Sequence, residues 1–186
     1  ELLINLHIHT IYSDGIGTHA DVAREALKVG LDAIITTDHN ILAAHKQGYY
    51  TANGLWDGKE EACRLLLLTG EEIHNRERKP QKSHLLVIGG NRELTGFGDQ
   101  PQTLIDQVRS SGGLSFLAHP LESGLPLFGE PDITWDDWEV VGYTGIELWN
   151  GLSEMKARIS SIPNALLYTF FPQYLALGPP TALLQK

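Results

Sequence analysis

The stretch HIHTIYSDG, residues 7–15, holds two imidazoles one residue apart and a carboxylate five positions beyond the second. An extended strand repeats its facing direction every two residues, so His7 and His9 project together if the stretch is a strand. Two imidazoles side by side at a strand end can clamp a metal ion. Similar groups recur downstream: Asp38-His39 in TTDHN, Glu71-Glu72 in GEEI, His84 opening HLLVI, and His119 in LAHP. Mixed imidazole and carboxylate ligands suit zinc, manganese or iron. If these groups converge, two or more ions roughly 3.5–4 Å apart can be held, and hydrolysis becomes natural chemistry. Cys63 sits beside an apolar run and no serine falls in a triad pattern, so a covalent side-chain nucleophile is not expected.

These groups need elements to position them. Leu2–His9 alternates like a strand, and Thr18 is a candidate N-cap for a helix over His19–Val29 that Gly30 ends. Leu31–Thr37, Arg64–Ile73, His84–Ile88, Leu114–Ala118 and the GIELW of Tyr143–Trp149 read as strands. Ile41–Gly54 reads as wholly or partly helical. Gln102–Ser111 is a helix opened by Pro101, and Leu152–Ile159 is a further helix candidate. The apolar and aromatic segment 163–177 has no clean period. Alternating strands and helices imply βα units around a parallel sheet or barrel, whose strand C-terminal ends form the site face. His7, His9, His39 and His119 fall at such ends. His84 falls at the start of its strand, so that strand is antiparallel or its boundary is displaced. His19 and His45 on predicted helices, and His74 in a loop, read as structural.

The chain has 186 residues, single-domain size, with ordinary globular composition and one cysteine. That excludes an internal disulfide and fits a reducing, cytoplasmic compartment. A net charge of −9 argues against bulk-charge binding to nucleic acid or anionic membrane, and no apolar run is long enough to span a bilayer. An acidic protein can still bind phosphate when a metal supplies local positive charge.

In order, HIHTIYSDG, TTDHN, GEEI, HLLVIG and LAHP resemble the PHP domain (polymerase and histidinol phosphatase), from about residue 4 to GIELWNG near residue 150. The resemblance implies a distorted TIM-like barrel of about seven βα units, with residues 1–186 expected to form a single such domain that lacks the last strand or strands. It implies a cluster of two or three metal ions at one mouth, held by His7, His9, Asp14, His39, Glu72, His84 and His119. It also implies hydrolysis of a phosphate ester by a metal-bridged hydroxide. The family's closing Asp-x-His pair has no counterpart here, since no aspartate follows Asp137 and no histidine follows His119. That pair is expected beyond Lys186; otherwise the protein is a degenerate member with an incomplete cluster.

Around this centre, Asp38 is a candidate orienter of His39 or a helix cap. Arg76 and Arg78, in the basic loop 75–83, are candidates for gripping a substrate phosphate, against the reading of a solvated loop. Trp135, Trp138 and Trp149 either pack the protein or offer a stacking face to a nucleobase. The expected partner is a small phosphorylated molecule, including a nucleotide or short single-stranded oligonucleotide. Two other readings stand beside the phosphoesterase. One is a metal-dependent amidohydrolase, against which the TDH and SDG motifs argue. The other is a non-catalytic, PHP-like metal-binding or interaction module.

Overall fold

A computed structural model describes residues 1–58, 63–159 and 161–170. Strand β1 (Ile4–Ile8) leads through helix α1 (His19–Lys28) into the parallel strand β2 (Ala33–His39). Thr18 starts α1 with a reciprocal pair: its hydroxyl accepts from the Asp21 amide, and the Asp21 carboxylate accepts from the Thr18 amide.

Residues 41–54 depart from the helical expectation. They run irregularly into a hairpin of β3 (Gly48–Thr51) and β4 (Gly54–Leu55). Gly48 and Gly54 both take positive φ, which interrupts a helix, and Tyr49-Tyr50-Thr51 are strand formers. The hairpin flanks the start of β5 (Leu65–Ile73), which pairs in parallel with β2 over seven residues.

Strand β6 (Leu85–Ile88) runs antiparallel to β5 and to β7 (Leu114–Leu117), with helix α2 (Pro101–Ser110) between β6 and β7. Strand β8 (Gly145–Ile146) returns parallel to β7 and precedes α3 (Gly151–Arg158) and α4 (Ile162–Phe170). The main sheet order is β1-β2-β5-β6-β7-β8, curled into a half-barrel. The expected seven-fold βα repeat is not reproduced among the described residues. Full helices separate only β1 from β2 and β6 from β7, and a loop joins β5 to β6. Residues 171–177 of the unassigned apolar segment lie outside the described residues.

Two apolar clusters hold the sheet. Leu104, Ile105 and Val108 of α2 pack on Ile73, Leu85, Val87 and Leu117, with Trp135 buried among them. Ala23 and Ala26 of α1 pack on Ile34, Leu65 and Leu67. Trp135 is thus a core residue, while Trp138 and Trp149 are exposed. No helix among the described residues is long and apolar enough to cross a membrane.

The strand β5 carries two adjacent buried acids. Gly70 precedes them because a Cβ there would collide with the Val87 carbonyl of β6. Glu71 points away from Glu72, as strand alternation requires, and accepts from the Leu94 amide and the Thr95 hydroxyl. Burial outweighs those donors and pushes its carboxyl up to about 7. A raised carboxylate is a stability cost that is absent below the unfolded value near 4.5 and grows until the folded value is passed. Glu71→Gln should therefore gain stability relative to wild type between pH 4.5 and 7, by up to about 3 kcal/mol. Urea unfolding of both proteins at pH 5 and pH 8 checks this, and an equal difference at both pH values contradicts it.

Candidate metal centre

The direction of β6 decides where the site can form. Strands β1, β2, β5, β7 and β8 run the same way, so their C-terminal ends share one mouth. Because β6 is reversed, its start lies at that same mouth. His7 and His9 close β1, His39 closes β2, Glu72 lies at the end of β5, His84 opens β6 and His119 follows β7. The parallel register sets His39 directly beside Glu72. The antiparallel reading of the His84 strand is the one the fold adopts.

Five imidazoles converge on the fully buried Glu72 carboxylate. Oε2 lies 3.1 Å from His7 Nε2, 2.8 Å from His9 Nε2 and 3.1 Å from His39 Nδ1. Oε1 lies 2.8 Å from His84 Nδ1 and 2.9 Å from His119 Nε2. The two oxygens therefore belong to different groups of ligand atoms. Glu72 Oε2 and His39 Nδ1 are buried without a well-aligned hydrogen bond despite this crowding.

Several rings are held by their far nitrogen. His7 Nδ1 meets Glu147 Oε1 at 3.0 Å, His9 Nδ1 meets Asp14 Oδ1 at 2.6 Å, and His84 Nε2 donates to the Gln81 carbonyl at 3.0 Å. In a neutral imidazole that arrangement turns the other nitrogen's lone pair toward Glu72. Lone pairs facing a carboxylate repel it unless a proton or a cation lies between them. The donor set fits divalent ions: His7-His9-Glu72 and His39-Glu72-His84 each bring ligand atoms within 4.8 Å of one another, with Glu72 common to both.

Asp14 joins His9 and His39 in a third such group, 3.7 Å from His39 Nε2. Its loop is pinned from below. Asp38 accepts from the Thr10 amide, the Thr10 hydroxyl and the Ser13 hydroxyl, each at 2.7 Å. The expectation that Asp38 orients His39 is corrected: the two residues face opposite sides of β2, and Asp38 builds the first-motif loop. The glycine of SDG is required for the same reason of space, since a Cβ on Gly15 would strike the His9 carbonyl.

In the basic loop, Arg78 is bound to Asp136 Oδ1 at 2.5 Å and Asp137 Oδ2 at 2.8 Å, so two carboxylates already neutralise it. Arg76 donates to the Asn40 carbonyl at 2.7 Å, which places it at the rim. His74 is not among the groups that could hold an ion. It stacks on His84 at 4.4 Å and its Nε2 lies 2.8 Å from Asn40 Nδ2. His19 stacks on His45 at 4.1 Å, neither belongs to the ligand groups, and His45 is not on a helix.

The sequence reading missed Glu147, which faces His7 and His119, and the buried Glu122, 3.9 Å from His119 Nδ1. The position of Glu147 just past a strand parallel to β7 was the available signal. A cavity of about 1380 Å³ opens beside the cluster. Lys156, 2.6 Å from Glu122, is the one lysine or arginine among its described lining residues.

Burial opposes ionisation of Glu72, but His7, His119 and His84 override it and hold the carboxyl well below the usual range. Burial likewise opposes charge on His7, yet Glu72 and Glu147 push its imidazole up to about 10. His9 is raised mainly by Glu72 against the same burial. Burial, reinforced by His9 and His84, pushes His39 down to about 4.

The arrangement is a multi-ligand centre of metal-binding type at one mouth of an α/β half-barrel. The PHP domain family matches residues 5–98, half of the sequence and most of these ligands, and the chain belongs to that family. A structure from Bifidobacterium adolescentis, provisionally named a metal-dependent phosphoesterase, superposes with a TM-score of 0.44 at 16% identity. That match covers 80% of this chain and 77% of the other. No curated protein matches the sequence.

In the absence of a cation, protons on His7 and His9 separate these rings from Glu72, and a bound cation must displace them. His7 holds its proton up to about pH 10. Divalent-ion affinity should therefore rise roughly tenfold per pH unit between pH 6 and 9 for each proton displaced. Calorimetric titration with Zn²⁺ or Mn²⁺ in buffers of different ionisation enthalpy should show at least one proton released per chain at pH 7. Zero release would contradict the assignment of His7 as a ligand.

Proposed function

We propose that the chain is a metal-dependent phosphoesterase that hydrolyses a small phosphate ester. The observation that carries the reading is Glu72: one buried carboxylate whose two oxygens each face a separate set of imidazole nitrogens. That arrangement suits a bridge between two divalent ions. His7, His9 and His39 would hold the first position, and His84 with His119 the second, with Asp14 adding a ligand at the outer rim. Zinc, manganese and iron fit this donor set. Such ions activate a water and neutralise the charge that develops on phosphoryl oxygens.

The chain's own contribution is spatial and electrostatic. Glu72 would fix the separation of the two positions, and the buried His84 and His119 shield the second from bulk water. Lys156 lies in the wall of the adjoining cavity, held by Glu122 at 2.6 Å and Glu130 at 3.2 Å. The same cavity includes Trp149, 62% exposed, whose ring offers a stacking face for the base of a nucleotide or a short single-stranded oligonucleotide. Phosphomonoesters and nucleotides are the proposed substrates.

Purified protein loaded with Mn²⁺ or Zn²⁺ should hydrolyse p-nitrophenyl phosphate and leave a panel of amides intact. Chelation should abolish the activity, and Glu72→Gln should lower kcat/KM at least about 100-fold. Turnover of amides without phosphate esters would establish an amidohydrolase. Tight metal binding without any hydrolysis would establish a binding module.

A further inference from the structure

We infer that Glu147 is a positioning residue of the metal centre, setting His7 through its ring and His119 through its backbone; this rests on the metal-dependent reading above. Glu147 follows β8, whose pairing with β7 continues in a bond from the Glu147 amide to the Leu117 carbonyl at 2.9 Å. The side chain thereby reaches two ligands from strands distant in sequence. Its Oε1 lies 3.0 Å from His7 Nδ1, and its Oε2 accepts the His119 amide at 2.8 Å.

The two contacts do different things. At His7, an acceptor on Nδ1 selects the tautomer whose Nε2 lone pair faces Glu72. At His119, the backbone takes φ 27°, a conformation that non-glycine residues rarely adopt. An accepting carboxylate on that amide helps to hold the turn that aims His119 Nε2 at Glu72 Oε1. Because His7 serves one oxygen of Glu72 and His119 the other, a single carboxylate sets the geometry on both sides of the bridge.

Asn150 steadies Glu147 in turn. Its Nδ2 donates to Glu147 Oε1 at 3.2 Å, while its Oδ1 accepts the Leu152 and Ser153 amides as the N-cap of α3. The acceptor oxygen nearest His7 is thus tied to the start of a helix. Replacing Glu147 by glutamine would bring an amide to the same place. Glutamine keeps one acceptor oxygen where glutamate has two, so either His7 Nδ1–H or the His119 amide loses its partner.

The test compares wild type, Glu147→Gln and the remote helix-cap variant Thr18→Ala. Zn²⁺ affinity is measured by competition with a chromophoric chelator, and melting is measured without metal. Nitrogen-15 NMR of the Zn²⁺-loaded protein reads the His7 tautomer. Glu147→Gln should bind Zn²⁺ about 10- to 100-fold more weakly, perturb the His7 Nδ1–H or the His119 amide signal, and melt within a few degrees of wild type. Thr18→Ala should lower the melting temperature and leave Zn²⁺ affinity unchanged. Should Glu147→Gln fail to fold, Glu147→Asp takes its place under the same affinity criterion. An unchanged affinity in the Glu147 variant, or an equal loss in Thr18→Ala, overturns the inference. Failure of wild type to bind Zn²⁺ at all would instead overturn the metal-dependent reading.

Discussion

A carboxylate with no exposed surface, ringed by five imidazoles, is the constraint on which the molecule turns. Taking an ionised carboxylate out of water costs several kcal/mol unless charge and hydrogen bonding replace the lost hydration. Here the replacement is built from rings whose outer nitrogens are already engaged by Glu147, Asp14 and the Gln81 carbonyl. Their inner nitrogens can meet Glu72 favourably only through a positive charge. At His7 a proton supplies that charge when no cation does, and Glu72 with Glu147 pushes its imidazole up to about 10 against burial. The same geometry that makes the metal-free centre basic makes it a cation site. Proton and metal compete for one set of lone pairs.

The sheet exists in the form needed to bring those rings together. Ligands from an all-parallel arrangement would have to lie at strand ends; the reversal of β6 lets a residue at a strand beginning reach the same mouth. Gly70 allows β5 and β6 to approach closely enough for the Glu72–His84 contact, because any side chain there would push against the β6 backbone. Curling of the sheet then brings β1 toward β7 and β8, so that His7 stacks on His119 at 5.6 Å and meets Glu147. Helices α1 and α2 pack against the sheet through separate clusters that include none of the ligands.

Much of this was legible in the residue order. Strand alternation paired His7 with His9, the match of GEEI to the family motif singled out Glu72 over Glu71, and the place of His84 at a strand start left two explanations, of which the structure adopts the antiparallel one. What could not be read depends on contacts between residues far apart in sequence. The Arg78 partners, Asp136 and Asp137, lie some sixty positions away, and nothing local marks them as neighbours. Glu147 and His7 are separated by 140 positions. At 41–54 the wholly or partly helical expectation gives way to a hairpin, because Gly48 and Gly54 take positive φ and Tyr49–Thr51 favour a strand.

Neighbouring residues in the motifs also divide their labour in a way that spacing alone does not reveal. Asp38 and His39 face opposite sides of β2, and Glu71 and Glu72 opposite sides of β5. In each pair the second residue enters the centre. The first secures a loop: Asp38 the segment through Thr10 and Ser13 that delivers Asp14, and Glu71 the turn at Leu94–Thr95. A strand end can thus supply a ligand on one face and the scaffold for a distant segment on the other. This explains why a motif such as TTDHN carries an acid beside its histidine although only the histidine touches the cluster. The acid beside the ligand acts on the fold. Its loss would reach the site only by displacing what it holds, so defects at Asp38 would follow the Thr10–Asp14 loop rather than the ring of His39.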